Sequence, residues 1–179
     1  MAMKKPAEKA RGRQSRLKGV KASGDRTPQL GPGEYILEIT GTEVSRDRSE
    51  YYKAHATVVE VIDDQRDSGD PGEGDECLAM LQCIAGNSAK PGYARIKSFA
   101  MALAGFEDEA EFDEADPDGL FGEFVLNDGS DGKDEDGDDY EPIEGRRVRV
   151  RVRKGKRTKD DDDYYRENQW SPAPAKAAE

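Results

Sequence analysis

The chain has 179 residues, of which 34% are hydrophobic and 37% charged, with a formal net charge of −11. That length and thin apolar content exclude more than one sizeable core, and no apolar run approaches the ~18 residues of a membrane-spanning helix. The charge is set out in blocks: nine Lys/Arg against two Asp/Glu in residues 1–30, and one Lys against seventeen Asp/Glu in residues 106–141.

Block charge of this kind belongs to tails and loops that act in interactions. Residues 1–30 are therefore expected to form a flexible basic N-terminal arm. The arm has no apolar h-region, so it does not read as a secretory signal. A protein of the cytoplasm, with no membrane partner, is the expectation.

"GPGEY" starts the fold. In "EYILEIT", Tyr35, Leu37 and Ile39 alternate with Glu34, Glu38 and Thr40, the pattern of a half-buried strand. "YYKAHATVVEVID" predicts a second strand whose alternation changes phase near Val58–Val59, the mark of a bulge. After a polar loop, "CLAMLQCI" predicts a third strand, apolar on both faces. As a regular strand it would put Cys77 and Cys83 on one face about 20 Å apart, too far to bond. In "NSAKPGYARIKSFAMALAGF" the period changes. Ile96, Phe99, Ala100 and Leu103 share a helix face, Pro91 suits the first turn and Gly105 the C-terminal cap.

Residues 107–119 are acidic, with Phe112 as an anchor, and "GLFGEFVL" suits a short helix or strand. "NDGSDGKDEDGDDYEP" is expected to be an extended loop without order of its own. In "GRRVRVRVR", Val148, Val150 and Val152 face one way and Arg147, Arg149, Arg151 and Arg153 the other. "KGKRTKDDDD" reads as a hairpin tip and "YYRENQW" as the returning strand. Residues 173–179 are Pro/Ala-rich and read as a flexible tail. The expected fold is mainly β: a five-stranded, OB-fold-like barrel over residues 31–172, with one helix between strands 3 and 4 and an acidic insert at 107–141.

The arginine stripe continues into Lys154, Lys156 and Arg157. So many like charges on one strand repel one another, and a nucleic acid backbone would relieve that repulsion. The competing reading is a solvated face whose arginines pair with acidic neighbours. Single-strand binders add aromatic stacking platforms to a basic groove. Tyr51, Tyr165 and Trp170 are the candidates here. Each of the pairs Tyr51–Tyr52 and Tyr164–Tyr165 should send one ring outward. Lys53 and His55 share a face with Tyr51. The acidic loop fits no EF-hand register. No nucleotide-binding or nucleophile motif is present, and the one His and two Cys suggest neither a catalyst nor a metal site. No cofactor is expected.

These landmarks resemble a small group of bacteriophage OB-fold single-stranded DNA-binding proteins. The likeness rests on "GPGEYILEI", "RIKSFAMALAG", "GRRVRVRV" and the Asn-x-aromatic-x-Pro ending of "ENQWSP". It covers residues 31–105 and 144–172; the basic arm and the acidic insert depart from it. The resemblance implies a non-enzymatic single-stranded DNA-binding protein of phage DNA replication or recombination, working in the host cytoplasm. It also implies that an acidic segment screens the DNA site or recruits replication or recombination proteins. The rival readings are a phage structural or assembly component whose charged segments bind protein surfaces, and an acidic DNA mimic. The sequence leaves the oligomeric state open.

Overall fold

The structure, a computed structural model, describes residues 27–46, 49–157 and 164–174, without the side chains of Arg157 and Tyr164. Its elements in chain order are β1 (Gly33–Ser45), β2 (Tyr51–Asp64), β3 (Glu76–Cys83), α1 (Ala89–Ala104), α2 (Glu109–Ala115), α3 (Leu120–Leu126), β4 (Arg147–Arg157) and β5 (Tyr164–Pro172). The strands form one antiparallel sheet in the order β3-β2-β1-β4-β5. The expected β class and strand number hold. The sheet is not closed by pairing between its two edge strands. Three α-helices, rather than one, lie between β3 and β4. Among the described residues no helix is long and apolar enough to cross a membrane.

Alternation builds the core. Tyr35, Leu37 and Ile39 of β1, Tyr52, Ala54, Ala56 and Val58 of β2, and Val148, Val150 and Val152 of β4 are all buried. The β1–β2 register runs Ile36↔Glu60, then Leu37↔Val58, so Val59 is the extra residue of a bulge. That is where the sequence pattern changes phase. A second irregularity was not foreseen. β2 and β3 pair as Ala54↔Met80 and then His55↔Leu78, which leaves Ala79 over. Cys77 therefore faces the core, while Cys83 stands opposite the outward Tyr51. The two thiols do not share a face, because a one-residue bulge flips every side chain beyond it. Burial pushes the Cys77 thiol up to about 12.

Helix α1 lies across this core with Ile96, Phe99, Ala100 and Leu103 inward. It stops at Gly105, whose left-handed backbone (φ 87°) lets the amide of Phe106 return to the carbonyl of Met101 at 2.9 Å. Gly92, in its first turn, is pressed against the end of β3. A Cβ there would overlap the carbonyl oxygen of Cys83. Gly92→Ala is expected to destabilise the fold by about 1–3 kcal/mol, read as a lower melting temperature, whereas Gly122→Ala on the open side of α3 should be tolerated.

Residues 127–142, expected to be a loop without order, are instead held in turns on the folded insert: the amide of Tyr140 donates to the carbonyl of Gly132 at 2.8 Å and that of Ile143 to Gly129 at 2.9 Å. Asp108 caps α2 by accepting from the amides of Ala110 and Glu111 at 2.9 and 3.1 Å. Asp116 accepts from Phe121 at the start of α3. Phe112, Phe121, Phe124 and Val125 are buried, and Tyr140 closes on Phe121 and Phe124 at 5.3 and 5.0 Å. Tyr52 of β2 donates to the carbonyl of Val125 at 3.2 Å, tying this aromatic cluster to the core under the sheet. A few rings supply enough buried apolar surface to hold a segment of high charge density.

The fold also reaches further back than Gly31. Leu30 is in the core and Pro28 accepts from the amide of Leu78 at 2.8 Å. The rest of the expected basic arm, the hairpin tip at 158–163 and the tail from 175 lie outside the described residues.

Candidate nucleic-acid interface

The outward face of β4 lies beside β1, with Arg151 opposite Glu34, Arg149 opposite Ile36 and Arg147 opposite Glu38. Antiparallel pairing so places acidic and basic side chains on one face within reach. Arg147 bonds Glu38 at 3.0 Å, and Arg151 bonds Glu34 at 2.6 Å. Arg149 also bonds Glu34. Glu34 is 5% exposed, the one buried charged residue in the described core. The Arg151 guanidinium holds its carboxyl below the usual range, against burial, with Arg149 adding to the effect. Lys154 meets Asp67 at 3.2 Å, and Lys53 and His55 both reach Glu43, at 3.1 and 3.5 Å. Much of the stripe is thus compensated, by strand glutamates rather than by the acidic insert. Arg153 and Lys156 are exposed and make no ion pair among the described residues.

A second arrangement appears where the sheet fails to close. The edges of β3 and β5 face each other across a cleft of about 610 Å³. At one end Pro28–Leu30 fills the gap: Gln29 bridges to Leu78 in parallel, and Arg166 donates to the carbonyl of Leu30 at 2.8 Å. Asn168 of β5 donates to the carbonyl of Ala79 on β3 at 3.0 Å. The remaining cleft is lined by Tyr51, Tyr165 and Trp170. Among the described residues three cations, Arg95, Lys156 and Arg166, line it against one carboxylate, Glu167.

Each ring is held differently. Tyr165 is 62% exposed on the outer face of β5, and Tyr51 is 37% exposed at the start of β2. Tyr52, its neighbour, is fully buried, as strand alternation requires. Trp170 stands opposite Val150 on the inner side. It is half-buried and packs edge-on against Phe99, with ring centres 4.8 Å apart. It therefore forms cleft wall rather than an open platform. The side-chain oxygen of Asn168 is buried and has no hydrogen-bond partner among the described residues. A buried acceptor of this kind is satisfied by a donor from water or ligand.

The structure thus brings together Tyr51, Tyr165, Trp170 and Lys156 of the candidate residues. It places Arg147, Arg149 and Arg151 outside the cleft lining, on the outer face of β4. Lys53 sits near Tyr51 but bonds Glu43, and the Arg157 side chain lies outside the described residues. Sequence reasoning missed Arg95 and Arg166. Arg95, on the exposed side of α1, donates to Gln82 of β3 at 3.0 Å. Its only sequence signal is a cation off the apolar face of the helix. Arg166 was hidden between aromatic and acidic neighbours in "YYREN". No family model matches the chain, and neither a curated protein nor a solved structure matches it.

Proposed function

We propose that the protein binds single-stranded DNA without catalysing a reaction, and that the cleft between β3 and β5 takes the bases. One observation carries this reading: three aromatic side chains and three cations converge on a single open cleft. Stacking on rings beside a cationic track is how a single strand is held with little sequence preference. Lys156 adds a phosphate contact in the cleft lining, and residues 1–26, rich in Lys and Arg, add sequence-independent attraction. The setting in phage DNA replication or recombination follows from the resemblance of the strand and helix motifs. Screening of the site by the acidic insert belongs to the same reading.

The ion-paired stripe favours a second reading, a protein-interaction or assembly component whose arginines serve its own sheet. Titration of fluorescent oligo-dT at several salt concentrations, with duplex as competitor, separates the two. The DNA reading expects preference for the single strand and an affinity that falls linearly in log–log with salt. Tyr165→Ala should weaken binding about tenfold, as loss of one stacked base does, while Arg149→Gln changes it by about twofold or less. No binding at low salt, or equal effects of the two variants, favours the second reading.

A further inference from the structure

We propose that a hollow in the acidic insert receives an arginine or lysine side chain from a basic segment of a partner protein. The hollow measures about 330 Å³ and is walled by Phe106, Phe112, Phe121 and Tyr140. The rings meet edge to face, Phe106 on Phe112 at 5.6 Å and Phe121 on Tyr140 at 5.3 Å. Four carboxylates, those of Asp116, Asp134, Glu135 and Asp136, join the lining, and no cation among the described residues does. Aromatic faces with carboxylates beside them are the chemistry that holds a guanidinium or ammonium group.

Two of the carboxylates are held in place by backbone amides. Asp116 accepts from the amides of Phe121 and Gly122 at 3.1 and 3.4 Å. Asp134 accepts from those of Asp136 and Asp138 at 3.0 and 2.9 Å. Backbone amides fix these groups without neutralising them. Two neighbouring cations already have partners: Lys133 pairs with Asp139 at 3.0 Å, and Arg146 donates to the carbonyls of Glu141 and Pro142 at 2.7 and 3.2 Å. Arg146 also lies 5.5 Å from the centre of the Phe121 ring, so this ring already takes a guanidinium in the fold. The phenol of Tyr140 is pushed up by burial first and then by the charges of Asp116, Asp134 and Glu135.

Charge complementarity selects the occupant. Residues 106–141 carry one Lys against seventeen Asp/Glu, which repels nucleic acid and attracts a basic polypeptide. Among the described residues no three carboxylates stand together as a metal ion needs. The volume suits one long side chain, so the partner is an extended segment that inserts a single anchor. This inference does not depend on DNA binding by the cleft.

The test is binding of a fluorescein-labelled Arg-Gly-Ser repeat peptide to the full chain at low salt, with its citrulline counterpart as the uncharged control. Asp134→Asn, Glu135→Gln and Asp136→Asn together are expected to weaken arginine-peptide binding about tenfold, and Glu60→Gln, Glu73→Gln and Glu76→Gln together about twofold or less. Tyr140→Leu keeps the volume and removes the π face, and is expected to weaken binding about threefold or more. Trp170 emission and the melting curve check the fold; if Tyr140→Leu unfolds, the two triple variants decide. Equal losses in the triple variants, a folded Tyr140→Leu with unchanged affinity, or equal binding of the citrulline peptide overturns the proposal. So does a gain in affinity when Arg11, Arg13 and Arg16 become Gln, because the hollow would then hold the protein's own N-terminal segment.

Discussion

Phe99→Ala is expected to cost about 3–5 kcal/mol of folding stability, measured by denaturant unfolding followed through the protein's one tryptophan. Phe99 is fully buried. Its ring lies edge-on to Trp170 at 4.8 Å and to Tyr52 at 6.5 Å. It therefore joins the helix to a central strand and to an edge strand at once. The interior around it cannot collapse easily, because Tyr52 is itself tied to Val125 by a hydrogen bond. Removal of the ring leaves a cavity lined by fixed groups, the costly case. Phe99→Leu keeps most of the volume and should cost about 1–2 kcal/mol. The substitution also frees the inner edge of Trp170, so its emission should shift to the red in the folded state. A loss below 1 kcal/mol would mean that α1 packs on β5 by other contacts, and the cleft wall would not depend on Phe99.

That coupling explains what could be read from the sequence and what could not. Alternation along β1, β2 and β4 and the face of α1 are local signals, and each appears where its residues predict. Even the Val59 bulge shows as a change of phase. The Ala79 bulge does not, because "CLAMLQC" is apolar on both faces and carries no phase to break. The insert was misread through its charge. Counting carboxylates hid the spacing of Phe106, Phe112, Phe121, Phe124 and Tyr140, although five aromatics within residues 106–141 are a signal of buried surface. The candidate site was half legible. Alternation turns one ring of each Tyr-Tyr pair outward without saying which, and that the edges of β3 and β5 face each other is a property of the incomplete closure. The arginine stripe was legible as a stripe. Its partners Glu34 and Glu38 are more than 100 residues away in sequence, and only strand register brings them opposite.

Those partners set the second large effect. Glu34→Gln is expected to destabilise the fold by about 1–3 kcal/mol at neutral pH, since the guanidiniums it serves are partly solvated and the loss is smaller than for a fully buried pair. The carboxylate accepts from both Arg149 and Arg151, while its side chain is only 6% exposed. A neutral amide keeps one acceptor oxygen instead of two, carries no charge and presents its NH₂ to a cation. The pH dependence fixes the cause. In the folded protein the Glu34 carboxyl titrates below its usual value of 4.5. The native state therefore binds that proton less readily than the unfolded chain does. Its contribution is complete above the usual carboxylate range and falls away as pH drops through the lowered folded value. The stability difference between the natural protein and Glu34→Gln should shrink over that acid interval and stay constant from pH 6 to pH 8. A difference that does not shrink in acid would assign the loss to packing rather than to the ion pairs. The same variant also separates the two basic surfaces. It uncovers Arg149 and Arg151 without touching the cleft, so oligo-dT affinity should stay within about twofold if the cleft carries binding. A tighter complex with a steeper salt slope would shift the phosphate path onto the outer face of β4.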